Sequence, residues 1–365
     1  MLALVLGRDN GPVRFNLVPV SFDRLSGWID DRVSAVVPAL LKSCARFADA
    51  PDTAPVDPRA ISADFGRVSD WRSLCRTAEA LPLADDAAAR HFFETGFVAL
   101  AVSDYGTEEG LFTGYFEIEL NGARHRHDAF QTPIYRRPPD LGAEPRPTRA
   151  EIEDGALAGR GLELLWVDDP VDAFFLQIQG SGRVRLSSGG TIRIGYDGQN
   201  GHPYVPVGRL LIERGVIPRE KLTMPALRSW MRENPEAARM LRRENPSYIF
   251  FREVKGDGPI GAQGVPLTPE RSLAVDRAFI ALGVPIWVEA DERFAAVDGI
   301  RRLMIAQDTG GAIKGPVRGD VFWGTGTAAG FRAGMMNATG RYYLLLPRQI
   351  ASRRAPGRLP LAGTD

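Results

Sequence analysis

The feature that most constrains the fold is a series of short apolar segments after Pro246, joined by glycine-rich links. The segments are YIFFREV (248–254), PIWVEA (285–290), RLMIAQD (302–308), DVFWG (320–324) and RYYLLLP (341–347). Short runs rich in aromatic and β-branched residues, bounded by turn residues, are typical of strands. So many of them in about 110 residues predict a small β-barrel. If the similar segment LFTGYFEIEL (111–120) belongs to this barrel, the region between them is an insertion.

Residues from about 21 to 100 are predicted to be helical. Phe22, Leu25, Trp28 and Ile29 recur at the spacing of one helical face. Two further helical patterns lie at about 71–80 and 85–94, after a proline-broken stretch. Helices wrapped on another element are the expected arrangement.

The middle of the chain alternates between strand-like and helical patterns. Thr148, followed three residues later by Glu151, is a capping-box signature for a short helix. Residues 131–141, punctuated by prolines, are predicted to be a loop, and helical patterning returns between residues 207 and 243. Strands are predicted at LELLWV (162–167), AFFLQIQG (173–180), RVRLS (183–187) and TIRIGY (191–196).

Length and charge exclude several classes of protein. A chain of 365 residues suits two domains, or one domain with a large insertion. Lys plus Arg equals Asp plus Glu, 45 of each, so nothing predicts a nucleic-acid partner. The four histidines are scattered and the only cysteines are Cys44 and Cys75, so no metal site is expected. These cysteines either pair or remain as buried thiols.

Targeting signals are not evident in the sequence. No apolar run approaches the length of about 18 residues that would predict a membrane span. The first residues, MLALVLGRDNG, lack the basic region and long apolar run of a signal peptide, and no cysteine is placed for a lipid anchor.

The segment AQDTGGAIKGPVRGDVFWGTG (306–326) is the strongest candidate for chemistry. A strand ends on Asp308, a glycine-rich loop follows, and Asp320 opens the next strand. An antiparallel return would bring the two carboxylates together, and adjacent acids push their pKa values apart, as general acid catalysis requires. Two alternatives remain open: Asp308 as a turn residue bonding its own backbone, and neutralisation of either acid by Lys314.

A second candidate region is QIQGSGRVRL (177–186). Gln179, Gly180 and Ser181 offer groups suited to sugar hydroxyls or N-acetyl groups, although a tight turn would equally explain the glycines. In the strand Thr113-Gly114-Tyr115, the aromatic ring either stacks on a sugar or belongs to the core. The outer spacing of a nucleophile elbow is missing around Ser181, which disfavours a serine hydrolase.

Together these segments resemble the membrane-bound lytic murein transglycosylase A family. The resemblance keeps the family's order over about residues 110–347, two thirds of the chain. It is carried by TGYFEIEL with QTPIYRRPPDL, TRAEIEDGAL, FFLQIQGSG, GYDGQNGHPYVPVGRLL, NPSYIFFRE, PLTPERSLAVD, LGVPIWVEA and AQDTGGAIKGPVRGDVFWGTG through FRAGMMNATGRYYLLLP. DTGGAIKG is shared with the wider group of 3D domains, whose three aspartates would here be Asp276, Asp308 and Asp320.

The resemblance implies a mainly β fold with peripheral helices (α+β), in which a double-psi β-barrel domain carries an inserted β-rich domain. Residues 1–110 would form a helical part of the barrel domain, 111–250 most of the inserted substrate-groove domain, 251–350 the catalytic 3D part, and 351–365 a tail. Such enzymes cleave the β-1,4 bond from N-acetylmuramic acid to N-acetylglucosamine in peptidoglycan, without water and without a cofactor. One carboxyl group acts as acid and then as base, closing a 1,6-anhydro ring.

By this resemblance the acid/base falls on Asp320, with Asp308 as its electrostatic neighbour. The expected glycan contacts are Thr113, Gly114, Tyr115, Gln179, Gly180, Ser181, Gly310, Gly311 and Lys314. The expected partners are peptidoglycan strands and cell-wall synthesis complexes, the expected state is a monomer, and the expected location is the periplasm, with outer-membrane association left open. Two alternatives remain: a hydrolase that uses both aspartates with water, and a wall-binding barrel without catalysis.

Overall fold

The structure is a computed structural model that describes residues 14–142, 146–256, 258–292 and 299–354. Its strands are β1 (Asn16–Val20), β2 (Phe97–Ser103), β3 (Gly110–Ala123), β4 (Thr132–Tyr135), β5 (Glu163–Val167), β6 (Ser181–Leu186), β7 (Thr191–Gln199), β8 (Ile249–Val254), β9 (Ser272–Val275), β10 (Pro285–Glu292), β11 (Ile300–Asp308), β12 (Arg318–Thr325) and β13 (Asn337–Pro347). Its α-helices are α1 (Val37–Ala48), α2 (Val68–Glu79), α3 (Asp86–Gly96), α4 (Arg149–Glu151), α5 (Pro170–Gln179), α6 (Val207–Glu213), α7 (Met224–Glu233), α8 (Pro235–Arg243), α9 (Gly326–Met335) and α10 (Arg348–Arg354). None of the described helices is both long and apolar enough to cross a membrane. The fold is thus a mixed β-sheet with helices.

The chain divides into two compact units. The first contains the described residues up to Phe112, then Arg271–Asp320, and those from Asn337 onward. The second contains Thr113–Glu270 and Val321–Met336. Strands β3 and β12 therefore each begin in the first unit and continue into the second.

The first unit is organised by a sheet with the order β1-β2-β13-β10-β11-β9-β12. Strand pairs β1–β2, β2–β13, β13–β10 and β10–β11 are antiparallel, whereas β11 and β9 are parallel, with a register shift between Ala306 and Asp308. Trp28 and Trp287 are buried in its core with ring centroids 5.2 Å apart. The connection from β9 to β11 runs through β10, and the segments 276–284 and 309–317 follow the ends of these two parallel strands.

Helix α1 of this unit is held by one buried polar side chain and is joined to α2 by one covalent bond. The amide Nε2 of Gln307, fully buried in β11, donates to the carbonyl of Ala39 at 2.8 Å and to Oγ of Ser43 at 2.9 Å. Cys44 and Cys75 form a disulfide that joins α1 to α2. Of the two alternatives left open for these cysteines, the structure has the pair.

The second unit contains a sheet with the order β3-β6-β7-β8, to which β5 and then β4 are added along β3. Strand β6 runs parallel to β3, because helix α5 carries the chain from β5 back to the start of β6. The predicted capping box is confirmed at α4, where Thr148 accepts from the backbone of Glu151 and Glu151 accepts from that of Thr148. A one-turn helix needs such caps because it has almost no internal hydrogen bonds.

Three sequence predictions about local structure were wrong. Residues 173–180 are in helix α5 rather than a strand, because Asp169 caps its start, accepting from the N–H of Val171 at 2.7 Å, and Gly180 ends it in the left-handed conformation (φ 77°). Residues 131–141 contain strand β4, which pairs with β5. Between residues 21 and 32 the only helical element is a short 3-10 turn, Phe22–Arg24, and residues 97–100 belong to β2.

Candidate active site

Asp308 is the last residue of β11 and is half-buried. Its Oδ1 accepts a 2.9 Å hydrogen bond from the N–H of Thr309, and Thr309 Oγ1 donates to the carbonyl of Val275 at 2.8 Å. The side chain therefore bonds the backbone at the start of its own loop, one of the two alternative roles that the sequence allowed. The same bonds attach the loop to the end of β9.

Strands β11 and β12 are not neighbours in the sheet, so the predicted antiparallel return between them was wrong. Strand β9 lies between them in the order β11-β9-β12. Because β9 pairs in parallel with β11 through Ser272–Ala274, it occupies the edge that β12 would need. The glycine-rich loop therefore carries the chain across the width of β9 before β12 begins.

Asp276 follows β9 and holds this loop by accepting backbone hydrogen bonds. Its carboxyl is buried, with Oδ2 accepting from the N–H of Gly315 at 2.8 Å and Oδ1 accepting from the N–H of Ala278 at 3.1 Å. Gly315 has a φ of +107°, which a residue with a Cβ adopts only with strain. The third aspartate of the predicted trio is thus an anchor for the loop.

Asp320 is a half-buried residue of β12, two positions after Arg318. Burial lowers the pKa of the Arg318 guanidinium, and the charge of Asp320 opposes that change. Arg318 also donates to the carbonyl of Leu111 at 3.3 Å and to that of Gly319. A cation held beside a carboxylate favours the ionised form of the acid, so Arg318 is placed to tune Asp320.

Gly319, the residue between Arg318 and Asp320, must be small. A Cβ at Gly319 would lie 2.8 Å from Cε1 of Phe112 and 3.2 Å from Cδ1 of Leu273. The core of the first unit therefore packs directly against the backbone of β12 beside Asp320.

The glycine-rich loop between β11 and β12 exposes backbone at Gly311 and one cation, Lys314. Gly311 is exposed, with no heavy atom within 4 Å of a Cβ placed there, whereas a Cβ at Gly310 would lie 3.1 Å from Ile313. Lys314 is exposed and forms no ion pair with any carboxylate of the described residues. Among the described residues, Lys314 therefore does not neutralise either aspartate through an ion pair.

Thr113, Gly114 and Tyr115 are the first three residues of β3 that belong to the second unit. A Cβ at Gly114 would lie 2.5 Å from Nε1 of Trp323, so the indole packs on the bare backbone. Tyr115 is only 9% exposed and packs against Phe322 with ring centroids 5.3 Å apart. Of the two roles open for this ring, its packing supports membership of the core.

Gln179, Gly180 and Ser181 connect the end of α5 to β6. Oε1 of the buried Gln179 accepts a 2.9 Å hydrogen bond from the N–H of Phe116, so this side chain serves the backbone of β3. Gly180 is the left-handed cap of the helix, and Ser181 is buried at the first position of β6. The glycine's positive φ belongs to a helix end rather than to the tight turn considered from the sequence.

Glu117 of β3 is a buried acid that the sequence did not single out. It has no exposed surface; its Oε1 is 2.6 Å from Nε of Arg193, and its Oε2 accepts from Oγ1 of Thr325 at 2.8 Å. Its charge is accommodated by Arg193 and Thr325, which are distant in sequence. In the described part of the chain, no cluster of three or more His, Cys, Asp or Glu side chains is placed to hold a metal ion.

A half-buried carboxyl beside a cation, next to a loop with exposed glycine backbone, is an arrangement suited to acid–base catalysis, and it indicates the class of protein: an enzyme. Comparison with known proteins gives the family. The family described as MltA specific insert domain matches residues 111–252, and the 3D domain matches residues 271–346. The membrane-bound lytic murein transglycosylase A of Vibrio cholerae is 39% identical over 267 residues, 70% of each protein, and that of Escherichia coli K12 is 37% identical over 249 residues, 66% of each.

Solved structures agree with the sequence matches. A crystal structure of membrane-bound lytic murein transglycosylase from Agrobacterium tumefaciens has a TM-score of 0.82 and 34% identity, covering 93% of this chain and 99% of that one. The E. coli MltA structure with bound chitohexaose has a TM-score of 0.65 and 29% identity, covering 92% and 95%. The chain belongs to the membrane-bound lytic murein transglycosylase A family.

Proposed function

We propose that this peptidoglycan lytic transglycosylase cleaves the β-1,4 bond from N-acetylmuramic acid to N-acetylglucosamine with Asp320 as its one acid and base. The observation that carries the assignment is the difference between the three aspartates. Asp276 and Asp308 accept backbone N–H bonds of the loop that they anchor. Asp320 lies on β12 two positions from the half-buried Arg318, with whose guanidinium its charge interacts.

The protonated carboxyl of Asp320 donates its proton to the glycosidic oxygen while the bond from that oxygen to C1 of the muramyl residue breaks. The resulting carboxylate then takes the proton of the muramyl C6 hydroxyl, and O6 forms a new bond to C1. The products are a 1,6-anhydro-muramyl end and a free hydroxyl on N-acetylglucosamine, and no water is consumed. A single acid suffices because the nucleophile belongs to the substrate and is held at high effective concentration, whereas ordinary glycosidases need two carboxyls.

The remaining predicted residues receive proposed roles according to their surroundings. Asp308 acts as an electrostatic neighbour, and the backbone of the half-buried Gly310 and the exposed Gly311 admits the glycan. Lys314 offers an exposed cation to it. The surroundings of Gly114, Tyr115, Gln179 and Gly180 support roles in shaping the second unit, while Thr113 and Ser181 remain proposed glycan contacts.

We also propose that the first unit is a double-psi β-barrel and that the enzyme works in the periplasm, associated with the outer membrane. The parallel pairing of β9 with β11 and the 3D match over residues 271–346 support the barrel. The Cys44–Cys75 disulfide supports an oxidising compartment, and the relatives are named membrane-bound. The bound chitohexaose of the E. coli relative supports a polysaccharide ligand.

Product analysis by mass spectrometry tests the proposal. Purified peptidoglycan is digested with the wild type, Asp320→Asn and Asp308→Asn, and the muropeptides are separated and their masses are measured. We expect 1,6-anhydro ends from the wild type, none above background from Asp320→Asn, and a reduced yield from Asp308→Asn. Reducing ends without the anhydro mass would identify a hydrolase, binding without release would identify a wall-binding module, and an active Asp320→Asn would disprove the assignment.

A further inference from the structure

A polar cavity of about 250 Å³ lies on the second unit, apart from the residues discussed above. Its walls include Glu119 and Asn121 of β3, Arg183 and Arg185 of β6, and Thr191 of β7. The strand registers explain the grouping. Glu119 is opposite Arg183, while Arg185 has Asn121 on one side and Thr191 on the other. Such cross-strand neighbours on one face are about 5 Å apart, close enough for one small group to contact several of them.

The charges of this cavity do not balance internally. Arg185 is exposed and, among the described residues, forms no ion pair with a carboxylate. Arg183 approaches Glu119 only at 3.5 Å, with both side chains nearly half-exposed, so that pair contributes little. Asp172, the second acid of the wall, is already paired with Arg228 and with Arg232, the latter at 2.6 Å. An anion entering the cavity would therefore meet an uncompensated guanidinium flanked by an amide and a hydroxyl.

We propose that this cavity binds a carboxylate of the peptide stem that peptidoglycan carries on its muramic acid residues, with Arg185 as the principal ligand. The inference rests on the proposed function, because it assigns a part of the same substrate. An uncharged N-acetylglucosamine unit offers nothing for a guanidinium to pair with, whereas the stem peptide ends in carboxylates. Guanidinium groups bind carboxylates by paired, charge-assisted hydrogen bonds. The hydroxyl of Thr191 adds a donor on one side, and on the other the amide of Asn121 has a second N–H besides the one that it donates to Asp168 at 3.1 Å.

Two substitutions in this cavity should act in opposite directions. Arg185→Gln removes the cation and should weaken binding of the stem peptide about 10-fold, which is the usual effect of losing one charge-assisted hydrogen bond. Glu119→Gln removes the competing anion and frees Arg183, so it should tighten binding. A matched control is Arg252→Gln, because Arg252 is an exposed arginine on β8 of the same sheet that does not line the cavity, and its ion pair with Asp197, at 3.5 Å, is weak.

The binding measurement uses isothermal titration of the full chain with the free stem tetrapeptide released from peptidoglycan by an amidase. The expected order of affinity is Glu119→Gln, then wild type and Arg252→Gln, then Arg185→Gln. If Arg185→Gln binds the peptide as tightly as wild type, the proposal is wrong.

A cleavage measurement identifies the source of the carboxylate, since removal of the peptide exposes the lactyl carboxylate of muramic acid. Arg185→Gln should lower kcat/KM on peptide-bearing strands and leave it unchanged on amidase-stripped strands. A loss confined to stripped strands would assign the cavity to the lactyl group, and an equal loss on both would assign Arg185 to the glycan or the fold. Either result overturns the proposal. If the wild type releases no 1,6-anhydro ends at all, the proposed function fails, while the titration still tests the cavity.

Discussion

Thr325 donates its hydroxyl to the buried carboxylate of Glu117, with 2.8 Å between Oγ1 and Oε2. Thr325 is the N-cap residue of α9, yet its side chain makes no capping bond to that helix. The hydroxyl instead joins the end of β12 to β3 through an acid that also pairs with Arg193 at 2.6 Å. Because Glu117 has no contact with solvent, Thr325 and Arg193 must supply the hydrogen bonds and the opposite charge that stabilise its carboxylate in place of water.

Replacing Glu117 by Ala should lower the free energy of unfolding by about 3 to 5 kcal/mol, because Arg193 would keep a largely buried charge without its partner. Urea unfolding of the two proteins measures the difference. The matched control is Glu253→Ala, whose partner Arg124 lies at the surface with 39% of its side chain exposed, and whose loss should cost no more than about 1 kcal/mol. Equal effects of the two substitutions would contradict the structural role of Glu117.

Gly114→Ala should destabilise the second unit by about 1 to 3 kcal/mol, as overpacking of a filled core does. The new methyl group would overlap Nε1 of Trp323 at 2.5 Å and Cα of Ala333 at 2.8 Å. Gly311→Ala is the control, because nothing lies within 4 Å of its Cβ position. Thermal unfolding should show a lower Tm for Gly114→Ala alone. A Gly114 variant as stable as wild type would remove the packing explanation and return this glycine to a role in glycan contact.

The disulfide should contribute about 3 to 4 kcal/mol to stability, since it closes a loop of 31 residues and so restricts the unfolded chain. Dithiothreitol should therefore lower the Tm of the wild type. The double substitution Cys44→Ala with Cys75→Ala should have a similarly low Tm that the reductant does not change. If reduction left the wild-type Tm where it was, the two helices would be held by packing alone.

Much of the fold follows from local sequence patterns, and the exceptions have identifiable causes. The capping box of Thr148 and most of the strands after Pro246 were predicted, because caps and alternation act over a few residues. Residues 173–180 were assigned to a strand, although Asp169, Pro170 and Gly180 carry the start and stop signals of helix α5. Those signals outweigh β-propensity, which is weaker and depends on context.

The candidate site was harder to predict than the elements that carry it. Strand β9 is only four residues, SLAV, and its position between β11 and β12 is decided by pairing with residues that are distant in sequence. The burial of Glu117 likewise depends on Arg193 and Thr325, which no local pattern connects to it. Roles that depend on a side chain's own backbone, such as that of Asp308, were among the alternatives the sequence offered.

Asp86 should make stability depend on pH at the acidic end. Its Oδ1 accepts from the hydroxyl of Ser34 at 2.5 Å and from the N–H of Ser34 at 2.9 Å, and these bonds, the hydroxyl first, hold its pKa below the ordinary value of 3.8. A lowered carboxyl pKa stabilises the fold above the unfolded value and loses that contribution as the pH falls through the folded value.

The difference in free energy of unfolding between wild type and Asp86→Asn should therefore have its maximum value above about pH 5 and decrease below about pH 4. Urea unfolding across that range measures it. Ser34→Ala keeps the backbone donor and removes the hydroxyl, so it should reduce the same pH-dependent difference without abolishing it. A difference that stays constant down to the lowest pH would show that Asp86 gains nothing from Ser34 as an anion.

Arg318 should set the pH range over which Asp320 works. If Asp320 is the acid and base, loss of the neighbouring cation in Arg318→Gln raises the pKa of its carboxyl, since an opposite charge favours ionisation. The limb of the kcat/KM profile that belongs to Asp320 should then move to higher pH, by up to about one unit. Arg318→Lys keeps the charge and should leave the limb near its wild-type position, although it loses the bond to Leu111. A purely structural Arg318 would lower activity evenly at all pH values in both variants, because it would change the amount of folded enzyme and not the ionisation of the acid.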